Sequence, residues 1–152
     1  MSVGRRMESD LLEKAAAICY RRTDASIEIL LVRAHGAGWI FPKGSLEPGE
    51  TAWQAAQREA FEEAGVKGEI DQKQLTSFLH FKQGEAREYR VAAFLLLVQS
   101  MQASQESDRK PEWFSPPEAE KAIVQYRQFK YAEEYKRVIR LAVIHLTNRE
   151  KE

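Results

Sequence analysis

Residues Gly44 to Val66 read GSLEPGETAWQAAQREAFEEAGV. A glycine is followed six residues on by Glu50, and then by Arg58-Glu59-Ala60-Phe61-Glu62-Glu63-Ala64-Gly65-Val66. Thr51 with Gln54 three residues later makes a capping box, Ala and Glu fill the interior, and Gly65 stands where a left-handed cap belongs. A helix is therefore predicted over 51–64. Pro48-Gly49 signals a turn just before it. At about 100° per residue, Glu59, Glu62 and Glu63 fall at i, i+3 and i+4, on one stripe. Like charges at that spacing repel, which makes sense when a cation sits among them, and hard carboxylate oxygens suit Mg²⁺ or Mn²⁺. Arg58 precedes Glu62 by four residues and is placed to orient that acid.

A Glu-rich helix is ordinarily only a solvated face. Here Gly44, Glu50, Arg58, Glu59, Glu62, Glu63 and Gly65 hold fixed spacings whose chance odds in ordinary composition are below about 10⁻⁶. That specificity favours a site. Ala52, Ala55 and Ala56 continue the stripe and are small enough for a strand or loop to lie against the helix. Trp53, Ala60, Phe61 and Ala64 are expected to face the core.

The surrounding chain sets the bounds. At 152 residues, 43% hydrophobic and 30% charged, it is expected to form one domain over 1–152 with a sizeable core. The 23 basic and 23 acidic residues cancel, so nothing global points to nucleic acid or an anionic membrane as partner. The first fourteen residues lack an apolar targeting core, and the run Val91–Val98 is too short to span a bilayer. A single cysteine, Cys19, rules out an internal disulfide and fits a reducing cytoplasm; in its apolar run it reads as a buried structural thiol. The sequence leaves the oligomeric state open.

Alternation predicts strands over Glu13–Arg21 and Ile27–Arg33 around a polar turn at Thr23–Ser26, and a short strand at Trp39–Phe41. Gly68–Phe81 and Arg87–Gln99 read as an antiparallel pair turning near Gly84. Ser100–Lys110 reads as a polar loop. Ser115-Pro116-Pro117-Glu118 opens a short helix, and a longer one over Gln128–Thr147 places Tyr131, Tyr135, Val138, Leu141, Ala142 and His145 near one face.

At every constrained position, with Ala60 as the small apolar member, Gly44–Val66 matches the signature of the Nudix hydrolases. The chain resembles that family also at Trp39-Ile-Phe-Pro-Lys-Gly44 and at Glu112-Trp113-Phe114-Ser115. The resemblance implies an α/β fold, an α/β/α sandwich around a mixed sheet. It implies hydrolysis of a phosphoanhydride in a nucleoside diphosphate linked to another group, a small-molecule substrate. It further implies that the Gly44 carbonyl completes a metal shell held by Glu59, Glu62 and Glu63, and that Glu50 supports the loop.

Hydrolysing a phosphoanhydride needs a positioned water and neutralised phosphoryl charge, work that metal ions do. Glu63 is the first candidate for the base, with Glu59, Glu62 and Arg58 completing the catalytic set. Glu106 or Glu112 are candidates for a further ligand or the base. Phe41-Pro42-Lys43-Gly44 with Glu47-Pro48-Gly49-Glu50 is similar to members acting on diadenosine polyphosphates, whereas Arg109-Lys110-Pro111-Glu112-Trp113-Phe114 is similar to the diphosphoinositol polyphosphate group. A dinucleoside polyphosphate is the substrate expected, with the diphosphoinositol class as the alternative; ADP-ribose, oxidised nucleotides and RNA 5′ ends stay open. The intact carboxylate set argues against a non-catalytic nucleotide sensor. Lys43, Lys82, Arg87, Arg90 and Arg109 are candidates to bind phosphates, and Trp39 or Tyr126 to stack on a base, with Trp39 reading equally well as core.

Overall fold

Fifteen consecutive residues, Arg87–Met101, form the strand about which the fold is arranged. In chain order the elements of the computed structural model, which describes residues 14–24 and 26–151, are β1 (Lys14–Arg22), β2 (Ile27–Arg33), β3 (Trp39–Ile40), β4 (Lys43–Ser45), α1 (Ala52–Ala64), β5 (Val66–Ile70), β6 (Thr76–Lys82), β7 (Arg87–Met101), β8 (Glu112–Phe114), α2 (Pro116–Ile123) and α3 (Phe129–Lys151). The expected strand start at Glu13 lies outside the described residues, as does Ala25 in the first turn.

The sheet is mixed, with the order β3-β2-β1-β7-β5. β1 and β7 run parallel from Lys14↔Val91 to Tyr20↔Leu97, while β4 pairs antiparallel with β1 and β8 with β2. The run predicted as one strand over Gly68–Phe81 is two. β5 and β6 both lie antiparallel on β7, separated by the polar stretch Asp71-Gln72-Lys73-Gln74, whose side chains have no place on a sheet packed on both faces. Beyond β6 the sheet edge is closed by α3: Leu79 N–H donates to Glu134 Oε1 at 2.9 Å and Arg137 donates to the Ser77 carbonyl at 2.6 Å. These side chains satisfy backbone groups that would otherwise template another strand.

α1 packs on β1, β4, β5 and β7, whereas α2 and α3 pack on each other and against β2, β3, β8 and β6. This is the α/β arrangement expected. Alanines line both α1 and the strand it packs on. Ala15, Ala16 and Ala17 of β1 and Ala55, Ala56, Ala60 and Ala64 of α1 are fully buried, so the helix lies close over the strand. Trp53 and Phe61, expected to face the core, are only partly buried because that alanine seam takes the contact face. On α3, Tyr135, Val138, Ile139, Ala142 and Leu146 are buried, while Leu141 and His145 stay partly exposed. Cys19 is a buried free thiol whose ionisation burial opposes. Among the described residues, no helix is long and apolar enough to cross a membrane.

Candidate active site

The loop before α1 is tied to the helix by a single guanidinium. Thr51 caps α1 in the predicted box: its Oγ1 accepts from Gln54 N–H at 3.3 Å and its own N–H donates to Gln54 Oε1 at 2.9 Å. Glu50 accepts from the Glu47 N–H at 2.9 Å and, through both carboxylate oxygens, from Arg58 at 2.8 and 2.9 Å. Arg58 also donates to the Ser45 carbonyl at 2.9 Å, to Glu59 at 2.8 Å and to Glu62 at 3.2 Å, and it pairs with Glu47 at 2.9 Å. The predicted Arg58–Glu62 pair is therefore one spoke of a hub. Arg58 keeps Glu50 well below the usual carboxylate range.

Gly44 lies directly under Glu59: a β-carbon there would stand 2.3 Å from Cδ of Glu59 and 2.4 Å from its Oε1. The absent side chain is what admits the acid. Glu63 is 2% exposed. Burial, and then its hydrogen bond to Glu59, hold its carboxyl well above the usual range, against the pull of Arg109 and Lys43.

Several cations act on the buried Lys43 near Glu63. Glu63, Lys14, Arg109 and Arg127 all act electrostatically on Lys43, whose ammonium is lowered mainly by burial. Lys43 reaches this place because β4 pairs with β1, which sets it beside Ala16. Lys14, at the head of β1, donates to Ser45 Oγ at 3.0 Å and lies over the Tyr89 ring, which Arg87 also covers at 4.5 Å. Arg127 donates to the carbonyls of Ile123 at 2.7 Å and Trp39 at 2.6 Å and covers the ring of buried Tyr135. Tyr135 in turn stacks on Phe41, two residues before Lys43. Its hydroxyl bonds His80 Nδ1, a bond we assign with Tyr135 as donor because burial keeps the phenol protonated and the imidazole uncharged.

The loop after β7 docks on the other end of α1 through Gln102 N–H to the Gly65 carbonyl and Gln105 N–H to the Glu62 carbonyl. This brings Arg109 to Glu106 at 3.0 Å and to within 3.9 Å of Glu63, while its other nitrogen donates to the Arg33 carbonyl at 2.9 Å. Glu112 instead pairs with Leu31 at the sheet edge. Trp39, which the sequence allows as a stacking platform or as core, is 8% exposed, with its ring against Phe114 at 5.1 Å and the Arg33 guanidinium at 4.0 Å. The ring is buried and one of its faces carries a guanidinium. Lys14, Arg127 and His80 have no signal in the sequence, since each arrives through tertiary packing that no local pattern records, whereas Tyr135 lies on the helix face the periodicity marks.

Among the described residues no three His, Cys, Asp or Glu side chains stand ready-grouped around a metal position. Arg58 holds one oxygen of Glu59 and one of Glu62, and Arg109 faces Glu63. The donor set still fits a hard divalent cation: Glu59 and Glu63 share a hydrogen bond between two acids, a contact that needs a proton or a cation, and all the donors are oxygens.

The NUDIX domain family model matches residues 12–141. Diphosphoinositol polyphosphate phosphohydrolase 3-alpha of Mus musculus is 36% identical over 117 residues, covering 73% of this chain and 68% of its own. The 3-beta enzyme of Bos taurus is 35% identical with the same coverage. The crystal structure of the C. elegans Ap4A hydrolase superposes with a TM-score of 0.67 at 26% identity, covering 90% of this chain and 98% of that one. Fold, site and likeness define the class: a pyrophosphohydrolase acting on small-molecule phosphoanhydrides. The chain belongs to the Nudix family.

Proposed function

We propose that this enzyme hydrolyses a phosphoanhydride bond of a dinucleoside polyphosphate, with Mg²⁺ or Mn²⁺. The observation that carries the reading is that buried Glu63, on the same helical turn as Glu59 and Glu62, lies 3.9 Å from Arg109 and within electrostatic reach of Lys43, on which Lys14 and Arg127 also act. Glu59, Glu62, Glu63, the Gly44 carbonyl and Glu106 from the docked loop are the oxygen donors for the metal. Bound there, a divalent cation supplies neutralisation of the charge that spreads over the phosphoryl oxygens and a means of orienting water. Arg58 keeps Glu59 and Glu62 pointed inward. Glu63, buried on the same turn as Glu59 and Glu62, is the residue we assign to accept the proton of the attacking water. Lys43 and Arg109 grip phosphate oxygens, and Arg87 extends the grip at the rim through its Tyr89 neighbour.

Two aromatic side chains flank Arg127 and stand open to solvent: Tyr126 is 76% and Phe129 79% exposed. Exposed aromatic faces beside a phosphate recess suit a substrate that carries a base. The names of the relatives at 35 and 36% identity favour a second reading, a diphosphoinositol polyphosphate. An inositol ring has no π-face to stack. A panel of diadenosine tetraphosphate, a diphosphoinositol phosphate and ADP-ribose, assayed with each metal and with products identified, tests the proposal. On the first reading diadenosine tetraphosphate gives the highest kcat/KM, and Phe129→Ala raises its KM while leaving that of the inositol substrate unchanged. A best substrate without a base establishes the second reading. The lone buried thiol is consistent with a cytoplasmic setting for this reaction.

A further inference from the structure

Arg109 joins three parts of the site. One nitrogen donates to the Arg33 carbonyl of β2 at 2.9 Å, Nε donates to Glu106 at 3.0 Å, and the remaining nitrogen lies 3.9 Å from Glu63 Oε1. The side chain is 13% exposed and that of Glu63 3%, so this is an interior contact, little screened by water. The loop that carries it is anchored independently, by Gln102 and Gln105 to the last turn of α1. Arg58 already spends its donors on Glu50, Glu59, Glu62 and Ser45. Arg109 is thus the guanidinium that balances Glu63, the member of the cluster Arg58 does not reach by any contact described above.

We infer that Arg109 is a positioning residue that acts as the built-in counter-cation of Glu63 and Glu106, competing with a divalent metal for these carboxylates and turning to the substrate's phosphates once displaced. The inference rests on the metal-binding role proposed for the cluster. It follows from charge and reach: a divalent cation drawn to Glu63 meets the repulsion of a guanidinium 3.9 Å from Oε1, and that guanidinium and Lys43 both act on the same carboxylate, so a displaced Arg109 stands beside a second cation suited to phosphate oxygens. Displacing Arg109 also frees Glu106 for the metal, because that carboxylate is held by Arg109 Nε at 3.0 Å. Metal binding and phosphate binding are then linked through one side chain, and the link is reciprocal.

The test is calorimetric titration of Mn²⁺ alone into the full chain and its Arg109→Met and Arg109→Lys variants, without substrate. Met keeps much of the stem volume and removes the charge. Arg109→Met should bind Mn²⁺ at least about fivefold more tightly than the parent, as expected for loss of a competing cation near 4 Å in a partly buried site, and Arg109→Lys should stay within about twofold of the parent. In the same variant KM for inorganic tripolyphosphate or diadenosine tetraphosphate should rise, with kcat changed less. Equal or weaker Mn²⁺ binding by Arg109→Met, with native circular dichroism, overturns the inference. A parent that binds no Mn²⁺ overturns instead the metal role of the cluster, a distinct result.

Discussion

The carboxylate of Glu59 occupies the space in which residue 44 would carry a β-carbon, 2.3 Å from Cδ. The obstruction is the far end of a flexible side chain rather than backbone, so Gly44→Ala forces Glu59 aside and leaves β4 in register with β1. Its stability cost should be small, within about 1 kcal/mol. Its catalytic cost should be large, roughly tenfold or more in kcat/KM, because a displaced ligand or charge loses its alignment with the reacting phosphate. Parallel melting curves and steady-state rates measure both; a variant with full activity would show that the position of Glu59 is not used.

Gly65 makes the opposite prediction. It caps α1 with φ of 68°, and a β-carbon there would meet the Gln102 carbonyl oxygen at 1.9 Å. Backbone, not a side chain, is in the way, and the left-handed conformation adds strain. Gly65→Ala should lower stability by about 2 kcal/mol or more in urea unfolding. A loss below about 0.5 kcal/mol would contradict the tight docking of the 102–105 loop on the helix.

His80 gives a pH signature. Its imidazole, buried with Tyr135 and surrounded by Lys43, Arg127, Lys14 and Lys82, is held down to about 2, mainly by burial. Between about pH 2 and 6.5 the unfolded chain therefore binds a proton at this residue that the folded chain refuses, so the contribution of His80 raises stability as pH rises across that window and is lost as pH falls through about 6.5. Glu63, shifted upward, contributes the opposite slope, so the difference between parent and variant is the informative quantity. His80→Asn, which retains an acceptor for the Tyr135 hydroxyl, should lose less stability than the parent on going from pH 7 to pH 5, by up to about 1.4 kcal/mol per pH unit. Denaturant titrations at several pH values check this, and parallel curves would mean that His80 titrates normally.

The helix, its caps and the acid stripe were legible in sequence because they are local: Thr51 and Gln54 lie three residues apart, and Glu59, Glu62 and Glu63 within one turn. Arg58 was legible only in part. Its contact with Glu62 follows from helical spacing, but those with Glu47, Glu50 and Ser45 require the loop to fold back over the helix. Lys14 was invisible as a site residue, being twenty-nine residues from Lys43 in sequence and beside it only through the β1–β4 pairing. For Trp39 the sequence leaves core and stacking platform both open, because its position just before the glycine loop says nothing of Phe114 and Arg33, which pack against it from β8 and β2. The break between β5 and β6 was marked by Asp71-Gln72-Lys73-Gln74, yet periodicity on either side bridged it.

The central claim is that the carboxylates on one turn of α1 hold the metal that drives phosphoanhydride cleavage. Steady-state hydrolysis of diadenosine tetraphosphate and of a diphosphoinositol phosphate at saturating Mg²⁺, by the parent and by Glu62→Gln and Glu63→Gln, tests it most directly. Glutamine preserves size and helix propensity and removes only charge. The account predicts a fall in turnover of roughly 10²-fold or more for each variant, with melting temperatures at or above that of the metal-free parent because a repulsion is gone. Turnover within a few-fold of the parent for both variants would contradict it.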